Sequence, residues 1–434
     1  MSIDNALVAQ LQQSVGDRLQ DLRAQRRITG HDTLDAASER QFARQMISEV
    51  LRLHNEGRLS QGMTTLSDEI EEEISEAIYA RMFGAGRLQR LLDDETIENI
   101  DINGADEVWI SRAGAEYPEP GGPVASSDAE LIEIIQTLAS YSGLSSRPFD
   151  AANPEVDLRL PDGSRLSAIQ AVASRPAISI RRHRFQKVDL EDLVGLGTMT
   201  HETADLLRAI VASRASVVIA GGTNAGKTTL LRAMAAEIPP QERIITIEKA
   251  FELSLREDRE RHPNCVALEA RPANTEGAGG VTMAQLVRRT LRKNPNRVIV
   301  GEVLGDEIVP MLNAMSQGND GSLSTIHADS ARGAFSRISS YAQQAEGLPR
   351  KVVHEMIAGA VDFVVFVGRD AGTGQRKVRT VLEVNGYDEE LGVVASEIAS
   401  TDHQGNAARN TNVAIQRHAQ LEAAGWNDGH RSNW

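Results

Sequence analysis

The chain has 434 residues, 41% of them hydrophobic and 25% charged, a soluble balance and a length that predicts two to four folding units rather than one small core. A formal net charge of -15 argues against a protein that coats nucleic acid through overall charge, although basic residues cluster locally at Arg181, Arg182, His183, Arg184 and Lys187. Cys265 is the single cysteine, which excludes an intrachain disulfide and a structural zinc site built on thiolates. The most apolar window, AVDFVVFV, is far short of the ~20 residues that span a bilayer, and MSIDNALVAQLQQS lacks a basic-then-apolar leader, so a cytoplasmic protein is expected, one able to work at the inner face of a membrane through partners.

Residues 1–92 lack proline and carry helical spacing, as in Ile70, Ile74, Ile78 and Met82, which predicts a helical N-terminal region. Its acidic run DEIEEEISE reads as the solvated face of one helix. From 93 to 184 the texture changes: IENIDING and ADEVWISRAGAEY read as strands joined at Asn103-Gly104, and a helix is predicted over Asp128 to Tyr141. EVDLRLPDGSRLSAIQAV and PAISIRRHR follow as strands around the turn Pro161-Asp162-Gly163, making a small α+β domain. Residues 185–197 form a connector. Between 198 and 400 the apolar strands SVVIA, RIITIE, CVALE, RVIVGE, SLSTIHA and FVVFV alternate with helices, which predicts an α/β unit with a mainly parallel sheet. The Asn-, Gln-, His- and Gly-rich segment 401–434 is expected to be a loosely packed polar tail.

Directly after SVVIA comes Gly221-Gly222-Thr223-Asn224-Ala225-Gly226-Lys227-Thr228-Thr229, then a helix former. This fits G-x-x-x-x-G-K-[ST] with a strand before it and a helix after it. Backbone N–H groups of such a loop converge on phosphate oxygens, Lys227 is expected to reach the β and γ phosphates, and the Thr228 hydroxyl to ligate Mg²⁺. RVIVGE supplies Glu302 to hold the metal, directly or through water, and RIITIEKAFEL supplies Glu248 and Glu252, one of them to orient or deprotonate an attacking water. No NKxD motif follows, so ATP is expected rather than GTP.

The chain resembles the secretion ATPase superfamily of type II and type IV secretion and type IV pilus systems, most closely its CpaF-like, Tad/Flp pilus assembly branch. ENIDINGADEVWI, VDLRLPDGSRL, ISIRRHR, GGTNAGKTTLL, IITIEKAFEL, RPANTEGAGGVTMAQLVRRTLR, NRVIVGEV and GNDGSLSTIHADS carry the resemblance, in the family's order, from Ser75 to Glu397. It implies a RecA-like P-loop NTPase domain beside a smaller N-terminal α+β domain, a homo-hexameric ring, and ATP held between the two domains. It further implies that Gly226, Lys227 and Thr228 are the Walker A loop, Glu248 and Glu252 the acidic box, Glu302 the Walker B acid and His327 the histidine box. Arg159, Arg165, Arg181, Arg271, Arg288 and Arg292 match arginines that face the nucleotide. Lys249, Leu304 and Asn319 depart from the pattern, standing for an aspartate, an arginine and a histidine. Lys249 is expected to lower the pKa of Glu248 and weaken it as a base.

The stretch QGNDGSLSTIHADS leaves His327 several readings on its own. It lacks HExxH for zinc and G-x-S-x-G for a hydrolase elbow. As the end of a strand following RVIVGE, it is expected near the γ-phosphate edge, where either His327 carries the sensing role alone or Asn319 shares it through neutral hydrogen bonds. The function expected is an ATPase that powers pilus assembly or secretion by acting on an inner-membrane platform protein, with no direct nucleic-acid partner. Kept beside it are a conjugative or type IV secretion ATPase, a nucleic-acid motor, and a nucleotide-binding switch with weak hydrolysis.

Overall fold

The computed structural model describes residues 5–28, 36–83, 85–112, 115, 117–141, 148–160, 163–182, 187–271, 273, 277–370 and 373–428. The chain divides into two compact units, Met1–Arg184 and Phe185–Trp434.

The first unit opens with three helices, α1 (Asn5–Ile28), α2 (Ala36–Ser60) and α3 (Asp68–Phe83). Each buries one stripe at helical spacing: Leu11, Val15 and Leu19 from α1, Ile47, Val50 and Leu51 from α2, Ile74 and Ile78 from α3. On α3 the acidic residues Glu69, Glu72, Glu73 and Glu76 remain on the exposed side, as the sequence predicts. Then follow α4 (Gln89–Asp93), β1 (Ile97–Ile102), β2 (Val108–Arg112), β3 (Glu119–Pro120), α5 (Asp128–Tyr141), β4 (Glu155–Arg159), β5 (Arg165–Ile169) and β6 (Ala177–Arg181). The strands form one antiparallel sheet in the order β3-β2-β1-β6-β5-β4. Alternate residues such as Ile100, Ile102, Leu166, Ala168, Ile178 and Ile180 cover a core shared with Leu131 and Ile135 of α5. The opposite face is polar, the alternation expected of a half-covered antiparallel sheet. Of the predicted PDG turn only Gly163 is described; Pro161, Asp162, His183 and Arg184 lie outside the described residues.

The second unit runs α6 (Leu190–Gly195), α7 (His201–Ala212), β7 (Val217–Gly221), α8 (Lys227–Ala235), β8 (Ile244–Glu248), β9 (Cys265–Glu269), α9 (Met283–Thr290), β10 (Arg297–Val303), α10 (Ile308–Ser316), β11 (Leu323–His327), α11 (Gly333–Glu346), α12 (Arg350–Ala360), β12 (Phe363–Arg369), β13 (Arg376–Asp388), β14 (Gly392–Thr401), β15 (Ala407–Arg409) and α13 (His418–Ala423). The sheet order is β15-β14-β13-β12-β7-β11-β10-β8-β9. The six strands predicted from apolar runs, β12 through β9 in that order, are mutually parallel, and β13, β14 and β15 extend the sheet antiparallel. Every residue of β7 is buried because helices cover both faces, which explains its unbroken VVIAG. This is the RecA-like arrangement: the phosphate-loop strand sits in the middle, and the C-terminal ends of β7, β11, β10 and β8 share one edge.

At the opposite edge Arg297 is fully buried, donating to Glu242 at 2.9 and 2.8 Å and to the Val211 carbonyl at 2.9 Å, while Arg214 reaches the same carboxylate at 2.7 Å. Removing Glu242 would leave the Arg297 charge buried without its counter-ion.

The expectation of a loosely packed tail fails for the described residues beyond 400. β15 pairs with β14, Ile415, Leu421 and Trp426 enter the main core, and Arg409 bridges Asp428 at 3.1 Å with both side chains buried. The Glu383 carboxylate, wholly buried, accepts the N–H groups of Gln416 and Arg417, both at 2.8 Å. A polar composition concealed three well-spaced apolar anchors.

Candidate functional site

The loop Gly221–Gly226 follows β7 and leads straight into α8. A Cβ on Gly221 would meet the Val367 carbonyl oxygen at 2.4 Å, so only glycine lets β12 lie this close to the loop. Gly222, Thr223 and Asn224 are exposed and Ala225 is buried, so the loop's lip faces solvent while its base is locked. Asn224 (φ 57°) and Gly226 (φ 97°) are both left-handed, the curl that turns successive N–H groups inward into an anion-binding nest. Gly226 caps α8 without a side-chain hydrogen bond, at the helix end where backbone N–H groups favour an anion.

Lys227 is the first residue of α8 and only 7% exposed. Its Nζ donates to the Gly222 carbonyl at 3.0 Å and stands 3.2 Å from His327 Nδ1. His327 closes β11, in register with Gly221, and its Nε2 lies 2.7 Å from Glu302 Oε1. These contacts assign the tautomer: Nε2–H donates to the carboxylate, and Nδ1 accepts from the ammonium. Glu302 is placed by a register shift between Val300 and Val303 against β11, where Thr325 Oγ1 donates to the Gly301 carbonyl at 2.8 Å. Such a bulge re-aims a strand-end side chain. Lys227, His327 and Glu302, the first two 100 residues apart in the chain, thus form one connected line beside the loop.

Glu248 ends β8 and behaves differently. It is 2% exposed, its Oε2 accepts the N–H groups of Glu252 at 2.6 Å and Leu253 at 2.8 Å, and Thr246 Oγ1 donates to its Oε1 at 3.1 Å. Burial pushes its carboxyl above the usual range, with those hydrogen bonds opposing. The expected lowering by Lys249 is therefore corrected: Lys249 points to solvent and desolvation dominates. Glu252 is half-buried on the loop that Glu248 organises, and the charges of both glutamates favour the cationic form of Arg232, whose pKa burial lowers.

Because a raised folded-state pKa stabilises the protonated form, Glu248 contributes stability that is lost as pH rises through that pKa, above 4.5. The melting temperature of Glu248→Gln minus that of the unchanged protein is therefore expected to rise from about pH 5 to about pH 8. A difference that falls with pH would mean the carboxylate, not the acid, is favoured there.

Asn319 does not join the site. It is 8% exposed and its Nδ2 donates to the Ala314 carbonyl at 3.1 Å, closing the C-terminal turn of α10, so the shared sensing role is withdrawn. Leu304 is 39% exposed and gives its N–H to the Glu307 carboxylate, which also receives that of Gly305 at 3.1 Å. Cys265 is buried and its thiol is pushed up to about 12, chiefly by desolvation, which leaves it inert. Among the described residues no group of three or more His, Cys, Asp or Glu side chains could hold a metal unaided.

Residues 82–416 match the family described as Type II/IV secretion system protein. The chain belongs to that family. A Mycobacterium tuberculosis protein whose name assigns it provisionally to conjugal transfer is 34% identical over 313 residues, covering 70% of this chain and 85% of that one. VirB11, a type IV secretion system protein of Brucella suis, is 30% identical over 320 residues, covering 66% and 86%. Among solved structures, the pilus retraction motor PilT with bound ADP aligns at a TM-score of 0.50 and 15% identity, covering 78% of this chain and 85% of that one, a likeness of fold.

The six arginines that the secretion-family resemblance selects fall into separate groups. Arg159, Arg165 and Arg181 stand abreast on β4, β5 and β6, each in register with the next, on the sheet face away from the core of the first unit. Three cations in one cross-strand row are unfavourable by themselves, and the next row along carries Asp157 and Asp101. In the second unit Arg271 Nε donates to the Gly279 carbonyl at 2.7 Å, Arg288 pairs with Glu346 at 3.4 Å, and Arg292 is exposed just beyond α9. Arg288 also lines an open groove of about 310 Å³ with Leu291, Val309 and Pro310, away from the loop side chains just described. Arg376, which sequence reasoning missed, does reach the loop: its Nε donates to the Asn224 carbonyl at 3.1 Å. Among the described residues no helix is long and apolar enough to cross a membrane.

Proposed function

We propose that the chain is an ATPase working as a homo-hexameric ring on the inner face of the cell membrane, where it drives platform proteins of a pilus or secretion system. The observation that carries this is the Lys227–His327–Glu302 line beside a left-handed glycine loop at the head of a helix. Lys227 would neutralise the β and γ phosphates of ATP, and the loop N–H groups would cradle them. Mg²⁺ fits the hard oxygen donors of Thr228 and Glu302 and, when bound, offsets charge on the transferring phosphoryl oxygens. Glu252 takes the role of orienting water. Glu248, whose Oε2 accepts two backbone N–H groups and whose Oε1 accepts the Thr246 hydroxyl, is a positioning residue for Glu252.

His327 reports nucleotide because it shares Lys227: an ammonium drawn to phosphate leaves Nδ1, and the Glu302 contact is then free to adjust. His327→Ala is accordingly expected to lower kcat by roughly ten- to a hundredfold while the Kd for ATP changes by less than about threefold. Loss of binding in step with turnover would instead make it part of the loop's scaffold. Within this proposal, the ordered motifs favour a Tad/Flp-like pilus system, and the provisional conjugal-transfer name of a 34% identical relative favours a conjugative machine as the second reading. ATP hydrolysis and mass measured on the purified chain test the core of the proposal. A monomer that binds nucleotide and releases no phosphate, even with platform protein present, would leave only a binding switch.

A further inference from the structure

We propose that Arg376 is a further nucleotide-binding residue, one that clasps the outer lip of the phosphate loop and meets the nucleotide from the side opposite His327 and Glu302. The inference rests on reading the loop as an ATP site. Strand order supplies the geometry: β11 and β10, which carry His327 and Glu302, flank β7 on one side, and β12 flanks it on the other. β12 runs parallel to β7 with Val367 beside Gly221, so the end of β12 and the start of β13 lie at the same edge as the loop. Arg376 is the first residue of β13, in register with Arg369.

Its side chain lies along the loop rather than away from it. Nε donates to the Asn224 carbonyl at 3.1 Å, and a Cβ on Gly226 would come within 3.2 Å of Arg376 Cδ. The missing side chain at Gly226 is therefore what lets the arginine stem approach the left-handed turn. Asn224 is itself a non-glycine residue at φ 57°, and a carbonyl held from outside keeps its peptide plane turned so that the neighbouring N–H groups face inward.

The rest of the guanidinium remains available. Nη1 and Nη2 of Arg376 have no hydrogen-bond partner among the described residues, and the side chain is exposed at the loop's mouth. The neighbouring basic residues are committed: Arg369 Nε donates to the Gly374 carbonyl at 3.1 Å, and Arg379 pairs with Asp370 at 3.6 Å. A fork anchored by one N–H, with four more directed by a planar group, is suited to phosphate oxygens. The start of β13 is also fixed from behind, because Gln375 Nε2 donates to the Leu196 carbonyl at 2.9 Å and Val378 N to the Thr198 carbonyl at 2.8 Å. Those two carbonyls belong to the segment between α6 and α7, so the clasp ties the loop to the chain entering this unit.

The test uses the full chain, fluorescent ADP titration and steady-state ATP hydrolysis. Arg376→Ala is expected to raise the Kd for ADP and the KM for ATP by about tenfold, more than kcat falls. Arg376→Lys keeps the charge without the fork and is expected to recover part of the loss. A merely structural arginine would lower melting temperature and kcat together, with lysine no better than alanine, and that pattern overturns the proposal. So does a variant that binds ADP within about twofold of the unchanged protein. If the unchanged protein binds neither ADP nor ATP, the reading of the loop falls and this inference falls with it.

Discussion

Lys227→Ala is expected to lower ATP turnover by at least about a thousandfold and to weaken nucleotide binding with it. Lys227 is 7% exposed and its ammonium is already held in place by the Gly222 carbonyl at 3.0 Å and His327 Nδ1 at 3.2 Å, so little reorganisation is needed before it meets phosphate. Its removal takes away the charge directly beside the nest and also strips His327 Nδ1 of its ammonium partner, the contact on which the proposed sensing depends. Lys227→Arg should not rescue, because a planar guanidinium differs in shape and donor directions from the ammonium seated between a carbonyl and an imidazole. Phosphate release by purified protein and titration with a fluorescent nucleotide measure both effects. Turnover within about tenfold of the unchanged protein would remove Lys227 from the chemistry.

The features that sequence alone made legible are those written in contiguous residues. The loop Gly221–Thr229 carries its own context, and the unbroken apolar runs of β7, β8, β10 and β12 announce strands covered on both faces. His327 could be placed because it ends a strand-like segment that follows RVIVGE, and β11 does lie between β7 and β10. What could not be read depends on partners distant in the chain. Arg376 meets Asn224 across 152 residues, and no local pattern marks one arginine in QRKVR as the one that touches the loop. The last described segment looked loose because its apolar anchors, Ile415, Leu421 and Trp426, are too widely spaced to form a periodic signal. For Glu248 the sequence shows a lysine next door, but alternation along a strand end sends Lys249 outward while Glu248 is buried. Burial governs the Glu248 carboxyl, and adjacency in sequence does not show burial.

Glu302→Gln separates binding from chemistry. Glutamine preserves the shape of the side chain and can still accept the His327 Nε2–H, which in the present structure spans 2.7 Å to Glu302 Oε1. The bulge that aims the side chain is set by the backbone pairing of β10 with β11, so the position of the group should survive. What is lost is the negative charge, and with it the hard anionic oxygen that would hold Mg²⁺ together with the Thr228 hydroxyl. The expected outcome is a fall in kcat of about a hundred- to a thousandfold, with ATP affinity within a few fold because Lys227 and the loop N–H groups remain. Raising Mg²⁺ should recover part of the activity if the charge acts on the metal. If kcat falls without any response to Mg²⁺, the charge works through His327 instead, and His327→Ala combined with Glu302→Gln should then be no worse than Glu302→Gln alone. Full turnover in Glu302→Gln would pass the metal-holding role to another acid and leave the Lys227–His327–Glu302 line a structural feature of β10 and β11.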